Sequence, residues 1–150
     1  PDADALAEVR RELDAAGRVP DHAVTDFPVQ VDLALAEGLP VVVNIRTADR
    51  TLFHAGLPGS APLNDLWARR KSNTALMFQL PSLLVALRNK AKDEPLERHG
   101  LVAADYADSG GAVPIRVRNV GVVAVATVSG LPQVEDHKLV VRAIRLLAAE

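Results

Sequence analysis

Apolar residues recur every three or four positions at the start of the chain. Leu6, Val9 and Leu13 fall at helical spacing in "DADALAEVRRELDAAG", and Gly17 follows as a stop. After the short linker "RVPDHAV", the stretch "TDFPVQVDLALAEG" predicts a second helix, with Pro28 near its start and Gly38 just past its end. The period then changes from helical to β. Val41 to Thr47 and Arg50 to Gly56 are rich in β-branched and aromatic residues, and only Ala48 and Asp49 join them. So short a connection makes the two strands an antiparallel hairpin.

"LPGSAP" predicts a turn leading into a helix that starts between Ser60 and Pro62 or at Asn64. "NDLWARRKSNTALMFQL" is helical until Pro81 breaks or kinks it, and "SLLVALRNKAKD" resumes the helix with Ser82 as a candidate cap. "EPLERHGLVAADYADS" reads as a loop with short turns. Val113, Ile115 and Val117 alternate with Pro114, Arg116 and Arg118, which predicts a strand with one wet face, and Pro114 places it at an edge or at a strand start. "GVVAVATVS" is apolar on both faces and predicts a central strand. The closing helix has Pro132 at its first turn, then Glu135 and Asp136, with Lys138, Arg142 and Arg145 beyond; this charge order suits the helix dipole. The order α-α-β-β-α-α-β-β-α predicts a single antiparallel sheet with helices packed on it, an α+β domain. All 150 residues are expected in one domain, with residues 1–25 as an N-terminal helix and linker.

Composition narrows the function classes. Cys is absent, which excludes disulfides and thiolate metal sites and fits a reducing, cytoplasmic setting. A net charge of −2 with no polybasic block argues against nucleic acid or an anionic membrane as partner. No apolar run approaches a membrane span, and Asp2, Asp4 and Glu8 are unlike a signal-peptide start. With one Trp, one Tyr and three Phe, the core must be aliphatic, and an aromatic platform for stacking bases is not expected.

Several residues could carry chemistry. His54 ends the second strand beside a glycine-containing turn; it could ligate a metal or move a proton, or be a half-exposed surface histidine. His137 shares a helix side with Val141 and Ile144, so it is either a ligand or acid/base group or a histidine at the margin of the core. Glu135 and Asp136 are explained as first-turn acids. Arg69, Arg70 and Lys71 are consecutive, and successive residues on a helix point in different directions. Trp67, Arg70 and Lys71 stand at i, i+3 and i+4. An Arg stacked on the indole would be either an anion clamp or one half of a salt bridge. Gly110 and Gly111 precede a strand rather than a helix, so they are not a phosphate loop and instead permit a tight turn. No Ser-His-Asp set, HExxH or paired-carboxylate spacing is present.

"LPGSAPLNDLWARRKSN", "DYADSGGAVPIRV" and "GVVAVATVSGLPQVEDHKLVVRAI" together resemble the HbpS-like (GlcG-related) haem-degrading domain family, in particular its branch of small cytosolic proteins. The resemblance spans roughly Leu33 to Leu147, and it departs at Ser109, where that branch carries His. It implies a profilin-like antiparallel sheet flanked by helices. It also implies a homo-oligomer, dimer or larger, that binds haem and in some members breaks it down. Arg70, Lys71, Gly110, Gly111, Glu135, Asp136 and His137 lie in the matching blocks and are carried over as cofactor-binding positions. His54 and Trp67 are added to the cofactor-binding candidates, and His54 and His137 are the candidate metal ligands. Haem needs an apolar slot, an axial ligand, here His54 or His137, and cations for its propionates, here Arg69, Arg70 or Lys71. The alternatives are a sensor for a small anionic ligand at the Trp67–Arg70–Lys71 corner and an assembly protein whose motif blocks build a subunit interface.

Overall fold

In a computed structural model of the chain, residues 33–148 are described. The expected first helix, the linker and the first residues of the second helix lie outside them. The end of that second helix is seen at residues 33–36, and Gly38 follows at φ 65°, a left-handed conformation that glycine adopts without a side-chain clash.

The first hairpin pairs β1 (Val42–Arg46) with β2 (Thr51–Gly56), antiparallel as expected. Helix α1 (Pro62–Phe78) begins at Ala61, whose N–H donates to the Asn64 side chain at 2.9 Å; Pro62 occupies the first turn, where no amide hydrogen is needed. It ends at Gln79 in the left-handed region, and Pro81 separates it from α2 (Ser82–Lys92). The loop that follows contains a single 3-10 turn, Leu96–His99. Strands β3 (Ala112–Val117) and β4 (Gly121–Ser129) form the second hairpin, and α3 (Gln133–Ala148) closes the described chain.

The two hairpins make one antiparallel sheet in the order β2-β1-β4-β3. The largely apolar β4 is central and the strand with Pro114 is an edge. The period-2 alternation assigns the faces. Val43 and Ile45 of β1, Val113 and Ile115 of β3, and Ala124, Ala126 and Val128 of β4 point one way. There they meet Leu139, Val140, Val141 and Ile144 of α3. Each fully buried Val, Leu or Ile among them contributes about 1.5–3 kcal/mol, so this layer is the main apolar store of the fold.

The opposite face carries Asn44, Arg46 and Thr127 together with Ala112 and Val125, and α1 lies across it through Ala75 and Leu76. The expected wet face of β3 is therefore largely covered. Pro114 is buried, and Arg116 is half-buried with its guanidinium donating to the Gln79 carbonyl. Ser82 does not cap α2 either: Pro81 holds the cap position. The buried Ser82 hydroxyl instead accepts from the Ala112 amide at 3.0 Å, so it serves the edge of β3.

Candidate functional site

Three polar constellations surround α1. The first is a cleft of about 430 Å³ between α1 and the β1–β2 hairpin. In the register, Asn44 stands opposite His54, so both side chains lie on the α1 face. His54 is about two-fifths exposed. Its Nε2–H donates to Asp65 Oδ1 at 2.5 Å, and its Nδ1 lies 3.0 Å from Asn44 Nδ2. A carboxylate only accepts, so the ring proton sits on Nε2 and Nδ1 accepts from the amide.

Arg46 lies deeper in the cleft. Its guanidinium donates to the carbonyls of Thr47 (3.1 Å) and Ala48 (3.1 Å), to Ser72 Oγ (3.2 Å) and to Asn73 Oδ1 (2.6 Å). All four acceptors are neutral. Among the described residues no carboxylate balances the charge. Burial lowers the Arg46 pKa, and the nearby Arg69 cation pushes it the same way. Arg50 completes a group of three guanidiniums around the cleft.

The second constellation is the Trp67 corner. The Arg70 guanidinium carbon sits 4.4 Å from the centre of the indole, within cation–π range. Its N–H groups donate to the carbonyls of Ala103 (2.7 Å) and Tyr106 (3.4 Å). Arg69 binds Asp105 at 2.9 Å and the Ala104 carbonyl at 3.0 Å, and Asn73 donates to the Asp105 carbonyl at 2.8 Å. This side of α1 thus straps down the loop before β3. Hollows of about 250 and 270 Å³ flank Trp67.

The third is buried. Lys71 leaves α1 and passes the ends of β3 and β4. Its Nζ donates to the carbonyls of Gly110 (3.0 Å) and Val128 (2.7 Å) and to Asp136 Oδ2 (3.0 Å). Asp136 also accepts from the amides of Leu131 (2.9 Å) and Gly130 (3.3 Å), tying the β4–α3 turn to the first turn of α3. Burial is the largest influence on both groups; it lowers the Lys71 pKa and raises that of Asp136 against the pull of each partner's charge. Gly111, at φ 136°, gives the ammonium room: a Cβ there would collide with Nζ and with the Val128 carbonyl.

The residues singled out in the sequence are thus divided. Lys71, Gly110, Gly111 and Asp136 come together, and Trp67 lines the same hollow as Lys71 and Asp136. Arg70 turns to the loop. Glu135 is exposed, and His137 is buried at 1% exposure on α3, across the sheet from His54. Among the described residues no three His, Cys, Asp or Glu side chains gather as a metal would require. Sequence reading missed Asn44, Arg46 and Asp65. Their signal was present for the first two: they alternate with Val43 and Ile45 in β1 and therefore share a face.

Fold and site define an α+β protein with one helix-covered antiparallel sheet and, at its edge, a polar cleft lined by three guanidiniums, His54 and the carboxylates of Asp49 and Asp65. Residues 29–145 match the family described as haem degrading protein HbpS-like, and the chain belongs to that family. It is 42% identical over 146 residues to a UPF0303 protein of Streptomyces coelicolor, covering 97% of this chain and 92% of the relative. It is 48% identical over 115 residues to a UPF0303 protein of Streptomyces avermitilis, covering 76% of this chain and 71% of that one. The crystal structure of Ybr137w protein is similar at a TM-score of 0.82 and 28% identity, covering 97% of this chain and 88% of that chain. PduOC in its heme complex is similar in fold at a TM-score of 0.65 and 22% identity, covering 82% of this chain and 88% of that chain. No helix among the described residues is long and apolar enough to cross a membrane.

Proposed function

We propose that this chain binds haem and that the β2–α1 cleft holds its polar edge. The observation that carries the reading is the meeting of one half-exposed imidazole with three guanidiniums in a single cleft. The fit to haem divides by chemistry. Arg46, Arg50 and Arg69 match the two propionates, and His54 supplies an imidazole for the iron. Asp65 would have to release Nε2 for that role. Among the described residues the apolar side chains lining the cleft are Ala48 and Ala68 alone, so the porphyrin faces need cover from outside it. A second copy of the chain is the source we assign; Leu63, Leu66 and Trp67 expose an apolar strip on α1 that suits such an assembly. Bound haem would supply the redox chemistry for its own breakdown, which we infer from the family description, and the Cys-free chain suits a cytoplasmic setting.

Haemin titrated into the protein is expected to give a saturable Soret shift that His54→Ala abolishes and Arg46→Gln weakens. A spectrum equal to that of free haemin overturns the reading. One observation favours a second reading, a small carboxylate or phosphate in the same cleft: the Arg46 charge faces only neutral acceptors. In that case thermal stabilisation by such anions persists in His54→Ala and is lost in Arg46→Gln. At the Trp67–Arg70–Lys71 corner Lys71 is already paired with Asp136, so Arg70 alone is left there to meet an anion, against three guanidiniums in the cleft.

A further inference from the structure

The hollow of about 270 Å³ beside Trp67 differs in kind from the arginine-lined cleft. Among the described residues its charged lining groups are Lys71 and Asp136 alone, and these compensate each other at 3.0 Å. The ammonium spends its three hydrogens on Gly110, Val128 and Asp136. An ion seated here would give up its water and meet no free counter-charge.

The hollow still has hydrogen-bonding capacity to offer. Ser129 ends β4 on the face that α1 covers, opposite Val42, and is 2% exposed. Its hydroxyl bonds to no described residue. Yet its oxygen is not sealed among protein atoms as Thr127 Oγ1 is, so it opens into the hollow that Ser129 lines. A buried hydroxyl that faces a cavity without a partner is a demand that an occupant can meet. Asp136 accepts from Lys71, Gly130 and Leu131, and a carboxylate has about four acceptor sites, so one more donor can be taken.

The apolar part of the lining is Trp67, Leu63 and Leu131. Arg70 stacks on the indole from the side of the neighbouring hollow, which it lines, and it does not line this one. The other side of the indole is therefore left to an occupant, and a flat ring makes most use of it. Pockets for drug-sized ligands begin at about 300 Å³, so a smaller molecule of one ring is the scale that fits.

We propose that this hollow binds an uncharged heterocycle with an amide or lactam edge, stacked on Trp67, whose C=O accepts from Ser129 and whose N–H donates to Asp136. The site is separate from the β2–α1 cleft and rests on neither reading of it.

The single Trp of the chain is the reporter. Nicotinamide and uracil, titrated into the full chain, are expected to quench its fluorescence to a plateau. Nicotinate keeps the ring but carries a carboxylate in place of the amide, and should bind at least about tenfold more weakly. Ser129→Ala should weaken nicotinamide binding about tenfold, the factor that one neutral hydrogen bond supports, while Arg46→Gln, in the cleft, leaves it unchanged. Quenching that rises without a plateau for both probes overturns the site, as does nicotinate binding as tightly as nicotinamide. Unchanged affinity in folded Ser129→Ala, or a loss in Arg46→Gln, places the binding elsewhere and overturns it too. The nicotinate comparison needs no variant, so it decides even where Ser129→Ala does not fold.

Discussion

The Lys71–Asp136 pair offers the sharpest test of how this fold is held together. Both side chains are about 3% exposed, 3.0 Å apart and fully engaged with backbone partners. Taken singly, Lys71→Met leaves a buried carboxylate facing only two amides, and an uncompensated buried charge costs about 3–5 kcal/mol. Asp136→Leu leaves the ammonium with two carbonyls and also strips the Gly130 and Leu131 amides of their acceptor, adding about 1–3 kcal/mol. The two single losses therefore sum to roughly 8 kcal/mol or more, a large share of the 5–15 kcal/mol typical of a domain. The double variant behaves differently. It buries no charge, and since burial disfavours the ionised form of each group, what remains is mainly the unpaired backbone, about 2–4 kcal/mol. The expected coupling is then at least about 3 kcal/mol. Urea unfolding, followed by the fluorescence of the single Trp and by circular dichroism, measures it. At a slope of about 2 kcal/mol per molar urea, each single variant should lower the midpoint by roughly 2 M and the double by little more than 1 M. Single losses under about 1 kcal/mol, or losses that add within about 0.5 kcal/mol, would refute the claim that the pair is desolvated and mutually compensated.

Gly111→Ala is expected to cost roughly 2–4 kcal/mol, from an unfavourable positive φ and from the clash with the Lys71 ammonium, and Lys71→Met should relieve part of it; thermal unfolding of the single and double variants compares them. Arg70→Ala removes the strap on Ala103 and Tyr106 and the cation over Trp67, so amide exchange over residues 101–109 should speed up and the Trp emission should change while α3 stays protected. The Arg142 guanidinium, 2.8 Å from Glu37, holds that carboxyl below its ordinary 4.5. The unfolded group binds its proton first as pH falls, so the stabilisation is fully present above 4.5 and is lost as pH falls through the lowered value; Glu37→Gln should flatten that limb, and high salt should shrink it because the pair is exposed.

The sequence carried the skeleton because periodicity and punctuation are local. The two hairpins, the central place of β4, the edge place of β3 and the break at Pro81 all follow from residues within a few positions of one another. What misled was packing. The alternation in β3 reads as a wet face until α1 is laid across it, and then Pro114 is buried and Arg116 reaches out to the Gln79 carbonyl. Ser82 has the chemistry of a cap, but its nearest unmet demand is the Ala112 amide, 30 residues away. The Lys71–Asp136 pair spans 65 residues, and no local pattern joins them. His54 was legible as a candidate, but its company was not, because Asn44 and Asp65 reach it only through strand register and the placement of α1.

Three consecutive cations on α1 show how one short segment organises the whole molecule. Helical geometry sends Arg69, Arg70 and Lys71 in different directions, and each finds a different class of partner. Arg69, with Asp105 as its counter-ion, faces the cleft and still repels the proton on Arg46. Arg70 spends its fork on loop carbonyls and its face on Trp67. Lys71 crosses to α3 and is neutralised there. Of the three, only Arg69 keeps half its surface in water beside a second guanidinium. An anion in the proposed cleft would meet Arg46 and Arg69 together, whereas the Trp67 side offers Arg70 alone, because Lys71 is paired with Asp136. The proposed site and the scaffold are separated by one step along a single helix.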